Sequence, residues 1–235
     1  MRSTIAWIAA GMLAAGTCVA AIAQDNGQQS KAKIELDQAS EIIHELTGPQ
    51  AKAGIPDSVL RHAKCIAVIP NLLKGGFVVG AQHGDGVATC RLPDDRWSPP
   101  APFQVTGASF GAQIGGEEEA YVMMIMDNNG LQALQSGHFK VGAGVNAAAG
   151  PVGRSGSGSV GWGASILSYA KAKGAYVGAT LNGAELNQDH AKTKALYGRE
   201  VAFDRILNGD VQMPDEGPAK DFVHTVNHAV ERASR

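Results

Sequence analysis

Gly107-Ala108-Ser109-Phe110-Gly111 has the G-x-S-x-G spacing of a hydrolase nucleophile elbow. That device needs a sharp strand-to-helix turn, which exposes the serine hydroxyl beside an oxyanion hole. Here Ala112 to Gly116 reads as another kink leading to a strand, and Asp127, His138 and His190 stand in no matching context. Gly156 to Gly161 fits G-x-G-x-x-G, but a dinucleotide site requires a helix to follow. The next residues alternate Val160, Trp162, Ala164 and Ile166, which is a strand pattern. Among the histidines, His224 and His228 have the i, i+4 spacing of one helical face. Thr225 stands where the H-E-x-x-H zinc motif has its glutamate, so a solvated face is expected. Glu117-Glu118-Glu119 reads as charge at a turn. These groups do not converge on a reaction, and the expectation is a non-enzyme with no cofactor and no metal.

The elements that would position them run from helix to strand and back to helix. Residues 24–35 are polar and read as a loose leader. From Leu36, the stripe Leu36, Ala39, Ile42, Ile43 and Leu46 predicts a helix stopped by Gly48-Pro49, and Pro56-Asp57-Ser58 opens a second one. Strands are predicted at Cys65–Ile69, ending at Pro70, and at 77–81. His83-Gly84-Asp85-Gly86 reads as a hairpin turn into 87–91. Further strands follow at 103–110 and 120–126, with a turn at 127–130. Period-two patterns follow at 138–147 and 160–166, and a strand at 175–181. Helices return at 189–197, at 203–207 and from Ala219 to Val230. The dense glycine predicts a strongly curved or closed sheet, because curvature uses glycine kinks. The fold class is therefore α+β: one domain, residues 36–235, with a curved, barrel-like antiparallel sheet flanked by N- and C-terminal helices.

Arg2, the apolar run Ile5–Ala15 and the small-x-small Ala21-Ile22-Ala23 form the pattern of a cleavable secretory signal over residues 1–23. The run is shorter than the roughly 20 apolar residues of a membrane span. Cys18 leaves open a lipoprotein, although Ala15-Gly16-Thr17 matches a lipoprotein box poorly. The expected location is the periplasm or cell surface. With 20 basic and 22 acidic residues the chain has a net charge of −2, which argues against nucleic acid as a partner. Once the signal is removed, Cys65 and Cys90 remain. In an oxidising compartment they are expected as a disulfide, with two buried thiols as the alternative.

Several blocks, taken in order, resemble one known family. They are Ala63-Lys64-Cys65-Ile66-Ala67-Val68-Ile69-Pro70, Lys74-Gly75-Gly76-Phe77, Gly86-Val87, Trp97, Gly107 to Gly116, Ala148 to Arg154, Tyr169, Gly174, Leu181 to Ala184 and Ala195 to Gly198. Together they are similar to SYLF lipid-binding domains over residues 36–209. The resemblance implies a non-enzymatic module that binds membrane lipid. In eukaryotic relatives it implies phosphoinositide binding and, for some, actin binding. For an exported chain of bacterial type, it implies an envelope protein that meets anionic or glycolipid head groups and uses no nucleotide cofactor. Lys74, Lys140, Arg154, Lys171 and Lys173 are the candidate head-group contacts. A surface structural or adhesive protein without lipid dependence is the second reading, and a serine hydrolase at Ser109 the third.

Overall fold

Apolar runs without polar alternation need burial on both faces of a strand, and the computed structural model provides it. The structure describes residues 8–47, 54–76, 79–110, 115–143, 145–152, 163–172, 175–179, 181, 183–215 and 217–235, with side chains from residue 26 onward except at 76, 79, 109, 110, 115–117, 172, 175 and 176. Helices α1 (Ile8–Thr47) and α2 (Asp57–His62) precede four long strands: β1 (Cys65–Gly76), β2 (Val79–Cys90), β3 (Ala101–Phe110) and β4 (Gly115–Ile125). Next come α3 (Asn128–Gln135), β5 (His138–Lys140), β6 (Ala147–Ala149), β7 (Ile166–Ala172), β8 (Ala175–Gly178) and β9 (Ala184–Gln188). The chain closes on α4 (His190–Tyr197), α5 (Phe203–Leu207) and α6 (Gly217–Ala233).

The strands form one curled sheet, a half-barrel, in the order β5-β9-β3-β2-β1-β4-β7-β6, with β8 also on β7. Pairing is antiparallel except for β6 on β7. The expected α+β class with helices at both ends is observed, and the sheet is curved but open. Ile66, Val68, Val122 and Met124 face one core, under α1, α2 and α6. Ala67, Ile69, Met123 and Ile125 face a second core, closed by the curl of the sheet with α3 and α5. Cys65 and Cys90 are direct register partners on β1 and β2 and form the expected disulfide, with Cα atoms 4.0 Å apart. Closing a loop of sequence separation 25 contributes about 3 kcal/mol in the chain-entropy picture.

Five local expectations change, one of them at Glu117-Glu118-Glu119, which lies within β4, paired with β1, and not at a turn. Residues 24–35 continue α1 rather than forming a loose leader, because Ala32 and Leu36 extend the buried stripe by another turn and no proline interrupts it. Pro70 does not end β1; the register shifts around it, as a bulge, and pairing resumes at Asn71 and Leu72. His83-Gly84-Asp85-Gly86 is not a turn but the middle of β2. Its glycines answer close approach: a Cβ on Gly86 would lie 2.5 Å from the Phe103 ring and 2.7 Å from the Val68 carbonyl oxygen. The 138–147 pattern yields only β5 and β6, separated by a turn, and β9 carried no strand signal. Residues 160–162 of the second alternating pattern lie outside the described residues.

Gly86→Ala is expected to lower stability by about 1–3 kcal/mol, because backbone and a buried ring cannot both yield. Gly75→Ala, with nothing within 4 Å of its Cβ position, is expected to stay within about 0.5 kcal/mol of wild type. Urea denaturation of the two variants checks the contrast.

Candidate functional site

Helix α1 runs across the strands rather than along them. Lys192 joins α1 to β2, bonding Glu35 and lying 2.8 Å from Asp85 Oδ2. The Gln38 amide lies 3.3 Å from that of Asn71 on β1, and Glu45 Oε2 is 2.5 Å from Lys171 Nζ on β7. From residue 35 to residue 45, at ~1.5 Å per residue, is ~15 Å. The path β2-β1-β4-β7 is three strand spacings of ~4.8 Å. The helix therefore straps the sheet at right angles, fastened at both ends by ion pairs.

The fastening at Lys192 is the most buried ionic group described. Its side chain is 3% exposed, and those of Glu35 and Asp189 are 9% and 4%. Asp189 caps α4, accepting from the Lys192 amide at 2.9 Å and from Gln104 Nε2 at 3.1 Å, and it stands 3.7 Å from Lys192 Nζ. Burial pushes the Glu35 carboxyl up to about 7, against the lowering pull of Lys192. For Lys192, burial pulls the ammonium down, but Glu35 and Asp85 outweigh it and leave its pKa above the ordinary lysine value. The i, i+3 spacing of Asp189 and Lys192 was legible as a local pair. Glu35, 157 residues away, was not.

Beside the strap lie two adjoining grooves of about 470 and 370 Å³, sharing Gln38, Pro70, Asn71 and Glu118. Their floor is the projecting part of the sheet, where Thr106, His83, Leu73 and Glu118 are successive register partners across β3, β2, β1 and β4. Leu73 and Ile34 are more than half exposed on its rim.

The described lysine candidates are not brought together. Lys140 sits on the edge strand β5, Lys74 on the central β1, and Lys171 near the far edge on β7. Each engages a carboxylate: Lys74 with Glu119 at 2.8 Å, Lys140 with Glu185 at 3.4 Å, and Lys171 with Glu45. Lys74 also bonds Tyr121 Oη at 2.5 Å and lies over its ring. Burial pulls the Lys74 ammonium down, and its bonds to Glu119 and Tyr121 leave its pKa raised. Arg154 and Lys173 lie outside the described residues, as does Gly156–Gly161. Ser109 is within β3, paired with Gly80, and the next element is β4 rather than a helix. Asp127 caps α3 and His138 Nδ1 bonds Asn187, so neither stands ready as a triad partner. The His224 and His228 rings stack 6.5 Å apart, and among the described residues no group of three or more metal-ligating side chains occurs. No described helix is long and apolar enough to cross a membrane.

Fold and site together define an α+β module whose described polar residues fasten elements rather than assemble a reaction centre. The chain belongs to the Ysc84 (SYLF) family: the family model, described as Las17-binding protein actin regulator, matches residues 106–229. It is 34% identical over 198 residues to an SH3 domain-containing protein of Schizosaccharomyces pombe, covering 80% of this chain and 46% of that protein. It is 30% identical over 215 residues to SH3 domain-containing YSC84-like protein 1 of Rattus norvegicus, covering 88% and 62%. Protein YSC84 of Saccharomyces cerevisiae is 30% identical over 198 residues, covering 80% and 42%. The chain thus spans about half the length of these relatives. Their names describe regulators and SH3 domain-containing proteins, not enzymes.

Lys192→Met leaves buried carboxylates facing one another and is expected to cost about 3–5 kcal/mol. Folded Glu35 holds its proton to about pH 7, while its ordinary value is 4.5. Between those values the folded state binds the extra proton, so ionisation of Glu35 lowers stability as pH rises through that window. Relative to Glu35→Gln, the wild-type urea midpoint should fall from pH 4.5 to 7 and level off above. Parallel pH profiles would refute the assignment.

Proposed function

We propose that this protein is an exported, non-enzymatic component of the cell envelope that binds the anionic face of a lipid membrane. Family membership supports the lipid-binding class, and the signal pattern at residues 1–23 supports export. The buried Cys65–Cys90 bridge suits an oxidising compartment. The partners printed for the relatives belong to those proteins, and an exported chain would not meet actin.

The observation that carries the membrane reading is a cluster of cations at the end of the sheet where β1 begins and β2 ends. Arg61 Nη1 donates to the Ala233 carbonyl at 2.7 Å, tying α2 to the end of α6. Arg91 Nη2 donates to the Arg61 carbonyl at 3.3 Å, and the Arg91 amide to the Lys64 carbonyl at 2.7 Å. Arg96, Arg232 and Arg235 complete the group, while Asp94, Asp95 and Glu231 offset part of its charge. The guanidinium of Arg91 lies 5.1 Å from the buried Trp97 ring, which holds it in place. Arg91 lies 3.8 Å from Asp95 and Arg96 2.6 Å from Asp94. A phosphate head group arriving here therefore meets chiefly Arg61, held by a backbone carbonyl, with Lys64, Arg232 and Arg235, for which no ion pair occurs among the described residues. At Lys74, Lys140 or Lys171 it would have to displace a carboxylate.

Co-sedimentation with phosphatidylglycerol vesicles tests the proposal, and binding should weaken with salt. Each surface cation is worth about 1 kcal/mol, so Lys64→Ala with Arg235→Ala should weaken binding roughly thirty-fold. Loss in a Lys140→Ala, Lys171→Ala variant instead would return the contact to the strand lysines. No binding to any bacterial lipid extract would overturn the membrane reading.

A further inference from the structure

The groove beside α1 has the opposite character to the basic end. It lies on the other side of the strap, toward the β1–β2 tip. Six carboxylates line it, Glu35, Glu41, Glu45, Asp85, Glu118 and Glu119, against three lysines, Lys31, Lys171 and Lys192. Lys171 is committed to Glu45, Lys192 to Glu35 and Asp85, and Glu119 is paired with Lys74 from β1, which leaves Glu41 and Glu118 as the acids facing the groove. Among the described residues no cation reaches Glu41 or Glu118. Glu118 receives only a neutral partner, the Asn71 amide, at 3.1 Å. Two large apolar side chains, Ile34 from the helix wall and Leu73 from the sheet floor, stay 58% and 54% exposed on the rim. Carboxylates without a cationic partner, beside exposed aliphatic groups, repel an anionic membrane and suit a cationic, partly apolar ligand.

We propose that this groove is a docking site for an extended polypeptide segment carrying lysine or arginine next to aliphatic residues. Its dimensions agree. Lys31 to Glu45, at ~1.5 Å per helical residue, spans ~21 Å, the length of about six extended residues at ~3.3 Å each. The aliphatic residues of the segment cover Leu73 and Ile34, and its cations reach Glu118 and Glu41. The site is separate from the proposed membrane contact: Leu73 lies eight residues along β1 from Cys65, or ~26 Å. A protein attached to a membrane through Arg91 and Lys64 thus keeps this groove free for a second partner.

The test uses fluorescence anisotropy with the full mature chain and three labelled hexapeptides, of alternating Lys and Leu, Lys and Ser, and Glu and Leu. The Lys/Leu peptide should bind saturably, with an affinity that falls as salt rises, and the Glu/Leu peptide should not bind. Glu41→Lys with Glu118→Lys should weaken the Lys/Leu peptide at least roughly tenfold, with an unchanged thermal midpoint confirming the fold. Leu73→Ser should weaken the Lys/Leu peptide but not the Lys/Ser peptide. Absent binding, equal binding to the charge-reversed variant, or a variant that gains vesicle capture while keeping peptide binding would each overturn the proposal. None of these outcomes depends on whether the membrane contact at Lys64 and Arg235 is correct.

Discussion

A buried ammonium cannot be left without its carboxylates, and the position of α1 depends on that constraint. Lys192 is nearly inaccessible, and its carboxylate partners come from three elements: Glu35 from α1, Asp85 from β2 and Asp189 from the start of α4. Withdrawing the lysine leaves carboxylates uncompensated in a largely dry setting, at a cost of several kcal/mol. The apolar stripe Leu36, Ala39, Ile42, Ile43 and Leu46 supplies the attraction, at about 1.5–3 kcal/mol for each large side chain. Attraction of that kind has no direction. The ionic cluster at one end and Glu45–Lys171 at the other give it a crossing angle and a register.

Everything on the outer side of the sheet inherits that placement. The strap roofs the first core with α2 and α6, and its far wall becomes one side of the carboxylate-lined groove. The sheet beneath can curl because glycines on β2 let neighbours approach: Gly84 sits against the Asn71 carbonyl and Gly86 against the Phe103 ring. Gly150 and Gly178 do the same at the other edge, where a Cβ on Gly150 would overlap the Tyr169 ring. The curl in turn closes the second core without a full layer of helices. Charge is then sorted along the strands, with arginines at the end where the termini of α2 and α6 meet and acids beyond the strap.

Periodicity carried much of this fold into view. The helical stripe at Leu36–Leu46, the Gly198 cap in the left-handed region at φ 69°, and α5 and α6 all rest on local rules, and they stand where those rules put them. The family blocks supplied the class, since runs such as Ala63–Pro70 are specific in a way that G-x-S-x-G is not. What escaped was non-local. The glycines of His83–Gly86 look like a turn until Phe103 and Val68 are known to lie above them. Residues 24–35 look unstructured until α1 is seen to have a sheet to cross. The strand lysines show the same limit: Lys74, Lys140 and Lys171 look alike as isolated residues, but each meets a carboxylate from a distant segment. The Lys192 cluster assembles residues 35, 85, 189 and 192, and no spacing rule connects them.

The central claim is that α1 is an integral strap of the domain and not a detachable leader. Native-state hydrogen exchange followed by mass spectrometry tests it directly, because core elements open only with the whole molecule while loose ones exchange locally. The account predicts that amides of residues 36–46 exchange as slowly as those of β1 at 65–69, through the same global opening. Exchange of residues 36–46 far faster than β1, with the sheet still protected, would contradict it.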